Sequence, residues 1–382
     1  MRIVRDLFIG LMSGTSLDGV DGVLLDLTDS QPKVIANASA GFTPAFRQEL
    51  LELNSPTVNE LHRAMVAGNQ IACTYAQVVR DLLALVAHLG IDASLVRAIG
   101  AHGQTVRHRP APELSLTGCT TAYTLQLNNP ALLAELTGID VVADMRSRDI
   151  AAGGQGAPLV PAFHRQVFAS TNQDVAVLNV GGIANLTVLP ARNDAPVLGF
   201  DCGPGNALMD YWCHRHIGHM FDHQGAWAAS GQCQSEVLSA LLDEAYFSQV
   251  PPKSTGRDLF STAWLEHKLA PFVQKNPVDI QATLVELTAS ACSQSVLRYA
   301  KDSKLLIVCG GGAFNSFLVQ RLQAMLPGTE VCGSEQFGMP PLQVEASAFA
   351  WLAKQTLEHK PGNLPSVTGA KGARLLGAIY PA

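Results

Sequence analysis

The sequence lacks the long apolar run that a membrane helix needs. No stretch among its 382 residues approaches the roughly 18 apolar residues that span a bilayer. The longest apolar run near the start, LFIGLM, follows Asp6 and is too short for the hydrophobic region of a secretory signal, which takes about 7 to 15 residues. We therefore expect a cytoplasmic protein without a membrane partner.

Basic residues are also scarce, since 26 Lys and Arg stand against 32 Asp and Glu. Charged residues make up 15% of the chain and hydrophobic residues 47%, with a net charge of −6 at pH 7. This balance argues against disorder and provides no basic surface for nucleic acid. The eight cysteines contain no CxxC pair, so free thiols fit better than a disulfide framework. A chain of this length is expected to form two domains with a cleft between them.

Two common nucleotide-binding motifs are missing. The Walker pattern GxxxxGK[ST] occurs nowhere, which removes the commonest class of NTPase. The stretch GPGNAL, beginning at Gly203, has only two of the three glycines of the dinucleotide fingerprint, so a Rossmann oxidoreductase is disfavoured. The chain contains instead a series of small-residue turns that follow apolar runs.

Two of these turns join pairs of apolar runs. LMSGTSLDGVD begins at Leu11, and DVAVLNVGGIANLTVL, beginning at Asp174, repeats the pattern. Small residues let backbone N–H groups and hydroxyls approach a phosphate, although an ordinary hairpin has the same composition. Placed on facing domains, with GGG at 310–312 near the adenosine, they predict an α/β, two-domain, actin-like ATPase fold with an interdomain ATP cleft. Sugar kinases, actin and heat-shock chaperones share that fold.

Other patterns place the remaining candidates. Helical spacing predicts one long helix or a kinked pair over 60–90. VRAIGAHGQTVRHRP predicts a short strand with His102, Gln104 and Thr105 at its carboxyl end, where open α/β sheets bind ligands. The polar, glycine-rich segment 125–161 predicts a connection that lines the cleft.

Asp201 is the candidate catalytic base. It is predicted at the end of a strand, VLGFD, and is followed by GPG, which would let a substrate approach closely. A helix is predicted from about Asn206, and others at about 235–246 and 281–301. Asp is also a favoured N-cap, so a capping role for Asp201 is the alternative.

Nine stretches in order along the chain carry a family resemblance. They are GLMSGTSLDGVD, GAHGQTVRH, RDIAAGGQGAPLVPAFH, NVGGIANLT, GFDCGPGNALMDYW, PPKSTGRDLF, QATLVELTA, CGGGAFN and GNLPSVTGA. Together they resemble the anhydro-N-acetylmuramic acid kinases of the actin-like superfamily. The resemblance implies a kinase of peptidoglycan recycling that uses ATP and Mg²⁺ to open 1,6-anhydro-N-acetylmuramic acid with water and phosphorylate O6. It fits domains over 1–140, with the first phosphate hairpin, and 141–382, with the second hairpin and the GGG loop.

The resemblance also implies site residues. Asp201 is the catalytic base, and Asp18 is a candidate Mg²⁺ ligand. The expected ATP contacts are Gly14, Thr15, Ser16, Leu17, Asp18, Gly19, Val20, Asp21, Gly181, Gly182, Asn185, Gly310, Gly311 and Gly312. The expected substrate contacts are His102, Gln104, Arg146, Arg148, Asp149 and Glu345.

Several alternatives stay open. Asp18 and Asp21 would also suit a structural turn, the Arg146–Asp149 segment a structural ion pair, and Glu345 the first turn of a helix. The cluster CHRHIGHMFDH, beginning at Cys213, fits a solvated helix end better than a metal site. An ordinary amino-sugar kinase and a nucleotide-binding regulatory module are the competing functions, and a homodimer is not excluded.

The sequence departs from the family pattern at three places. Around 338–345, GMPPLQVEA lacks an Asp that often precedes the final helix, so details on the adenosine side are not carried over. Cys202 stands where the family usually has Thr, so a hydroxyl is lost beside the candidate base. Asn128 and Asn129 replace the usual Gly-Asp, which puts the contacts of that loop in doubt.

Overall fold

The computed structural model describes residues 5–14, 16–111, 121–192, 195–256 and 259–382. The chain forms two compact units, each of which has most of its contacts within itself. Unit 1 is Met1–Val167 with Gln343–Ala382, and unit 2 is Phe168–Leu342. Residues 141–167, which follow the expected division at residue 140, pack in unit 1. Among the described residues, no helix is both long enough and apolar enough to cross a membrane.

Unit 1 is built on a mixed sheet. Among the described residues it has seven strands: β1 Leu7–Ser13, β2 Gly19–Asp26, β3 Lys33–Gly41, β4 Val96–Arg109, β5 Tyr123–Leu127, β6 Val141–Ala143 and β12 Ala378–Tyr380. The strand order is β12-β6-β4-β1-β2-β3, and β5 pairs with β4. β1, β2 and β3 form an antiparallel meander, whereas β1, β4 and β6 are parallel.

The helices of unit 1 cover this sheet. They are α1 Pro44–Glu52, α2 Glu60–Val86, α3 Pro130–Thr137, α4 Ser147–Ala151, α5 Val160–Phe168, α13 Val344–Leu357 and α14 Pro365–Thr368. α2 confirms the predicted long helix and is followed by a 3-10 turn that ends at Gly90. α13 lies directly on β1 and β4, because a Cβ at Gly10 or Gly100 would collide with its backbone. This close approach fixes the position of the first turn of α13, which carries Glu345.

Unit 2 has a second mixed sheet. Its described strands are β7 Val175–Val180, β8 Ile183–Leu189, β9 Leu198–Pro204, β10 Leu305–Cys309 and β11 Glu330–Gly333, in the order β11-β10-β7-β8-β9. Its helices are α6 Ala207–Ile217, α7 Ala226–Ala229, α8 Ser235–Leu242, α9 Ala245–Ser248, α10 Thr262–Leu269, α11 Pro277–Tyr299 and α12 Ser316–Met325. α11 is buried along most of its length and packs in the core with the apolar residues of the sheet.

The two sheets share one topology. In each, the first three strands form an antiparallel meander, and the next strand of the core pairs in parallel with the first, on its other side. A further parallel strand follows, β6 in unit 1 and β11 in unit 2. This duplication confirms the repeated pattern of the sequence and the actin-like α/β fold. In both units the turn between the first two strands is a predicted phosphate hairpin.

One expectation about secondary structure was wrong. β4 does not end before His102; it continues to Arg109, because β5 pairs with Gln104 and the residues that follow it. The segment 125–161, which was expected to be a connection, contains part of β5, α3, β6 and α4 and the start of α5. Its many polar residues serve helix caps and turns, as at Asn129, whose side chain caps α3.

Candidate functional site

The first hairpin is held by a buried glutamine. Gln104 has no exposed surface, accepts a hydrogen bond from the Ser13 hydroxyl at 2.5 Å, and donates one to the Gly14 carbonyl at 3.1 Å. Among the described residues other than its chain neighbours, the nearest atom to a Cβ at Gly14 would be the Ser16 hydroxyl, at 3.7 Å. At Gly19 a Cβ would lie 2.4 Å from the Ala40 carbonyl, so this glycine is required by strand packing.

Other residues of this turn present backbone and carboxylates. The side chains of Leu17 and Val20 are buried, so only their backbone groups can face a ligand. The Ser16 hydroxyl donates to Asp18 at 2.5 Å. Desolvation, and after it the charge of Asp18, raises the pKa of Asp21. Thr15, a predicted ATP contact, lies outside the described residues.

Three of the predicted substrate residues come together in unit 1. Nε of Arg146 donates to Nε2 of His102 at 3.0 Å, and Nη1 donates to the Gly156 carbonyl at 2.7 Å. Burial, and after it the charge of Arg146, lowers the pKa of His102 to about 3. Burial lowers the pKa of Arg146 to about 10, while the nearby charge of Glu345 acts in the opposite direction. His102 is therefore neutral, with its proton on Nδ1.

Asp149 has a structural position that the sequence did not predict. It is completely buried. Its Oδ1 accepts from Asn363 at 2.6 Å and from Thr368 at 2.8 Å, and its Oδ2 accepts from the Gly156 N–H at 2.8 Å. These donors occupy the carboxylate, so Asp149 holds the loop behind Arg146; its contact with a substrate stays a prediction. Arg148, in contrast, is exposed.

The second hairpin presents N–H groups on one side. The carbonyls of Gly181 and Gly182 accept hydrogen bonds from the backbone of Asn206 at 2.7 Å and of Gly205 at 2.9 Å. In a trans peptide the C=O and the following N–H point in opposite directions, so the N–H groups of Gly182 and Ile183 point away from the start of α6. A Cβ at Gly182 would meet only Ala207, at 3.6 Å. This turn has the open, donor-rich geometry of a phosphate site.

The GGG loop lies against the same region of unit 2. Gly310 has a positive φ of 76°, and a Cβ there would lie 2.3 Å from Oδ1 of Asn179, so the first glycine is needed for packing. Gly312 is similarly close to Val180. Gly311 is more open, since a Cβ there would lie 3.4 Å from Nδ2 of Asn206.

Asp201 lies within β9, directly opposite Asn185 of β8. Its Oδ2 accepts a hydrogen bond from the Thr255 N–H at 2.9 Å. Burial raises the pKa of Asp201 to about 6, although the Thr255 N–H and the charge of Lys253 act against this shift. The N-cap of α6 is Asn206, so Asp201 is not the helix cap. A half-buried carboxylate with this pKa is suited to accept a proton near neutral pH.

Three residues around Asp201 were not predicted. The Tyr246 hydroxyl donates to the Asp201 carbonyl at 2.8 Å, and the Asp201 N–H donates to the Lys253 carbonyl at 3.3 Å. Thr255 supplies the N–H described above. Lys253 and Thr255 belong to PPKSTGRDLF, one of the nine stretches that carry the family resemblance. The residues of this stretch do not themselves show that it packs against β9.

Cys202, which departs from the family pattern, has its side chain in the core of unit 2. Cys202 lies at an irregularity of β9, because Asn185 pairs with Asp201 and Ala184 with Gly203. It is buried in the core with its thiol against Cys292 of α11. A Thr hydroxyl at that position would face the core as well. The seven described cysteines are all free thiols, as expected; Cys119 lies outside the described residues.

The histidine-rich stretch is an exposed helix end. His214 and His216 lie in the last turn of α6, which ends at Gly218 in the left-handed conformation, and His219 and His223 follow in exposed positions. Within the part of the chain that the structure describes, no group of three or more His, Cys, Asp or Glu side chains could hold a metal ion.

The duplicated sheet, with a glycine hairpin in each unit, defines an α/β protein of the actin-like fold class, which includes sugar kinases. Comparison with protein-family profiles identifies the family within this fold class. The profile of the anhydro-N-acetylmuramic acid kinase family matches residues 6–382, and the chain belongs to that family.

Relatives extend over the whole chain. The anhydro-N-acetylmuramic acid kinase of Variovorax paradoxus (strain S110) is 63% identical over 99% of this chain and 99% of the relative. The protein of the same name from Albidiferax ferrireducens is 60% identical over 99% of this chain and 100% of the relative. A solved ROK family glucokinase from Streptomyces griseus, in complex with glucose and AMPPNP, is 14% identical with a TM-score of 0.40, covering 91% of this chain and 99% of that one. The fold assignment rests on the duplicated topology.

Proposed function

We propose that this kinase takes 1,6-anhydro-N-acetylmuramic acid, ATP and water, and gives N-acetylmuramic acid 6-phosphate and ADP. The match of the family profile to residues 6–382 carries the proposal. It is supported by a carboxylate, Asp201, whose raised pKa and position on β9 suit a general base. Use of ATP and of a cell-wall fragment is consistent with a cytoplasmic enzyme of peptidoglycan recycling.

The anhydro sugar determines what the base must do. O6 is bonded to C1 and has no proton, so the proton to be removed belongs to the attacking water. Asp201 accepts that proton as the water oxygen bonds to C1 and the C1–O6 bond breaks. O6 leaves with the electron pair and attacks the γ-phosphorus, and the bond from phosphorus to the β-phosphate oxygen breaks to release ADP. Ring opening and phosphoryl transfer are therefore coupled.

We assign the phosphate contacts to backbone groups. In unit 2 the N–H groups of Gly182 and Ile183 are the proposed donors, and in unit 1 the open backbone at Gly14 is the proposed contact. Asn185, opposite Asp201, and Gly311 remain proposed ATP-side residues. Gly19, Gly310 and Gly312 contribute by allowing close packing.

Mg²⁺ fits the first hairpin only in part. Burial, and after it the nearby charge of Asp18, raises the pKa of Asp21, and a divalent cation would offset this effect. Since the described residues hold no larger acidic group, most ligands would come from phosphate and water. Bound there, Mg²⁺ would neutralise phosphate charge. Asp18 is the proposed ligand, directly or through water.

His102, Arg146 and Glu345 are the proposed sugar-binding residues of unit 1. The guanidinium of half-buried Arg146 is oriented by the Gly156 carbonyl and by His102, which would position it for a carboxylate such as the lactyl group. Gln104, which is fully buried, acts by shaping the Ser13–Gly14 turn. Arg148 is an exposed second cation near this site.

Isotope labelling tests the proposal against an ordinary amino-sugar kinase. The protein is incubated with ATP, Mg²⁺ and the anhydro sugar in ¹⁸O-water, and the phosphorylated product is fragmented to locate the label. We expect ¹⁸O at C1, with no ring opening when ATP is omitted. Free N-acetylmuramic acid is the control substrate. Phosphorylation of the free sugar, without turnover of the anhydro form, would establish the ordinary kinase instead. Nucleotide binding without turnover of either sugar would indicate a regulatory module.

A further inference from the structure

We propose that Lys253 is a positioning residue for Asp201: its carbonyl fixes the backbone of β9, and its ammonium group favours the charged carboxylate. This inference rests on the proposed function, in which Asp201 is the base. It concerns a segment to which neither the family match nor the sequence patterns gave a role.

The backbone of residues 253–255 runs beside an edge strand. β9 is the last strand of its sheet, so one side of it has no strand partner among the described residues. The Asp201 N–H donates to the Lys253 carbonyl, and the Thr255 N–H donates to Oδ2 of Asp201. One short segment therefore binds both the main chain and the carboxylate of the base, which limits rotation of the side chain.

The ammonium group of Lys253 is held next to this contact. Nζ lies 4.6 Å from the ring centroid of Tyr246 and donates to the Tyr246 carbonyl at 3.3 Å. The hydroxyl of the same tyrosine donates to the Asp201 carbonyl. A cation–π contact of this kind restrains a lysine that would otherwise be mobile. Tyr246 thus couples the position of the cation to the position of the base.

The ammonium group of Lys253 acts on the Asp201 carboxylate without a direct ion pair. No ion pair within 4 Å joins Lys253 to Asp201 in the described structure, although each charge stabilises the other. Among the described residues, the other titratable or charged groups that act on this pair are Tyr246, Cys202 and Arg298. Among the described residues the donor to the carboxylate is at Oδ2, which leaves Oδ1 for a water molecule. A direct ion pair would block that oxygen, whereas a nearby cation only favours its charge.

The test is the pH dependence of kcat in the full-length enzyme with ATP, Mg²⁺ and the anhydro sugar. We expect the acid limb of the wild-type profile near pH 6. Replacing Lys253 by Met or Gln removes a cation that favours the carboxylate, so the limb should move to higher pH by about half to one unit. Above about pH 8 both variants should approach wild-type kcat, and Lys253→Arg should retain the wild-type limb.

Lys268→Met is the matched control. Lys268 also lies over an aromatic ring, that of Trp264, and also contacts a backbone carbonyl, that of Asp243, but it is not among the groups that act on Asp201. Its loss should leave the limb unmoved. The glutamine of Lys253→Gln can still donate to the Tyr246 carbonyl. This variant therefore gives the position of the acid limb even if the Met variant does not fold.

The outcomes separate the two proposals. A wild-type enzyme that does not turn over the anhydro sugar contradicts the proposed function. An active wild type whose acid limb is the same in both neutral Lys253 variants overturns only the present inference. A fall in kcat by the same factor at every pH also overturns it, since that result indicates a purely structural lysine.

Discussion

Nε2 of His102 accepts a hydrogen bond from Nε of Arg146 at 3.0 Å. Because an acceptor nitrogen carries no proton, and because burial lowers the pKa of His102 to about 3, this imidazole stays neutral throughout the pH range of an ordinary assay. The only proposed catalytic group that titrates near neutral pH is then Asp201.

His102→Gln should therefore leave the acid limb of the kcat profile near pH 6. The glutamine carbonyl can still accept from Arg146, so the guanidinium stays oriented, while KM for the sugar rises if the imidazole contacts it. The profile is measured across the acid limb and up to alkaline pH, at saturating ATP and sugar. Disappearance of the limb in this variant would assign the titrating group to His102 and refute the neutral imidazole.

Asp201→Asn should keep ligand binding and lose turnover. The amide has the shape of the carboxylate but cannot accept the water proton, so kcat should fall by about 10²- to 10⁴-fold. Ring opening and ADP release should fall together. Calorimetry with an ATP analogue and the sugar checks binding. Near-normal turnover would falsify the assignment, and ADP release without ring opening would indicate an ATPase.

The same variant should be more thermally stable than wild type above about pH 6. The pKa of Asp201 is raised on folding, so below its unfolded value of 3.8 the carboxyl is protonated in both states. As pH rises from about 4 to 6 the folded state retains a proton that the unfolded state has lost, and stability decreases. The Asn side chain does not ionise, so the variant does not lose stability in this way. Melting temperatures on either side of this window check the sign, and a lower melting temperature for the variant on the alkaline side would contradict it.

Gly14→Val and Gly182→Val should each weaken ATP binding in a folded protein. Apart from its chain neighbours, no described residue has an atom closer than 3.6 Å to the Cβ at either position, but each side chain would fill space proposed for phosphate. We expect at least a roughly tenfold higher Kd and little change in melting temperature. Gly19→Val is the contrast, because its Cβ would lie 2.4 Å from the Ala40 carbonyl and should destabilise the fold. Unchanged ATP affinity in both folded variants would rule out the phosphate role.

Asp149→Ala should unfold unit 1 more readily. The substitution leaves the Asn363 amide, the Thr368 hydroxyl and the Gly156 N–H without their buried acceptor, at a cost of about 3 kcal/mol or more in the free energy of unfolding. Denaturant titration measures the loss, with exposed Glu135→Ala as the control. A stable variant with a raised KM for the sugar would restore Asp149 to the substrate site.

Local patterns predicted the parts of this fold that depend on neighbouring residues. The two hairpins, the helix that begins at Glu60 and the helix after Asn206 are each specified by turns, spacing and caps close in sequence. The length of β4 was not predictable in this way, because it depends on pairing with β5. The contacts of Asp201 were also not predictable, because they depend on residues distant in sequence. Thr255, which donates to its carboxylate, is 54 residues away.

The discontinuity of unit 1 has a consequence for the order of synthesis. All of unit 2 lies between the two segments of unit 1, and β12, which pairs with β6, is made of residues 378–380. A ribosome working from the N-terminus therefore completes the whole second sheet before it has made α13 or β12. Unit 2 can fold during translation, whereas the first sheet, with Gly10 and Gly100 exposed where α13 will lie, must wait for the end of the chain.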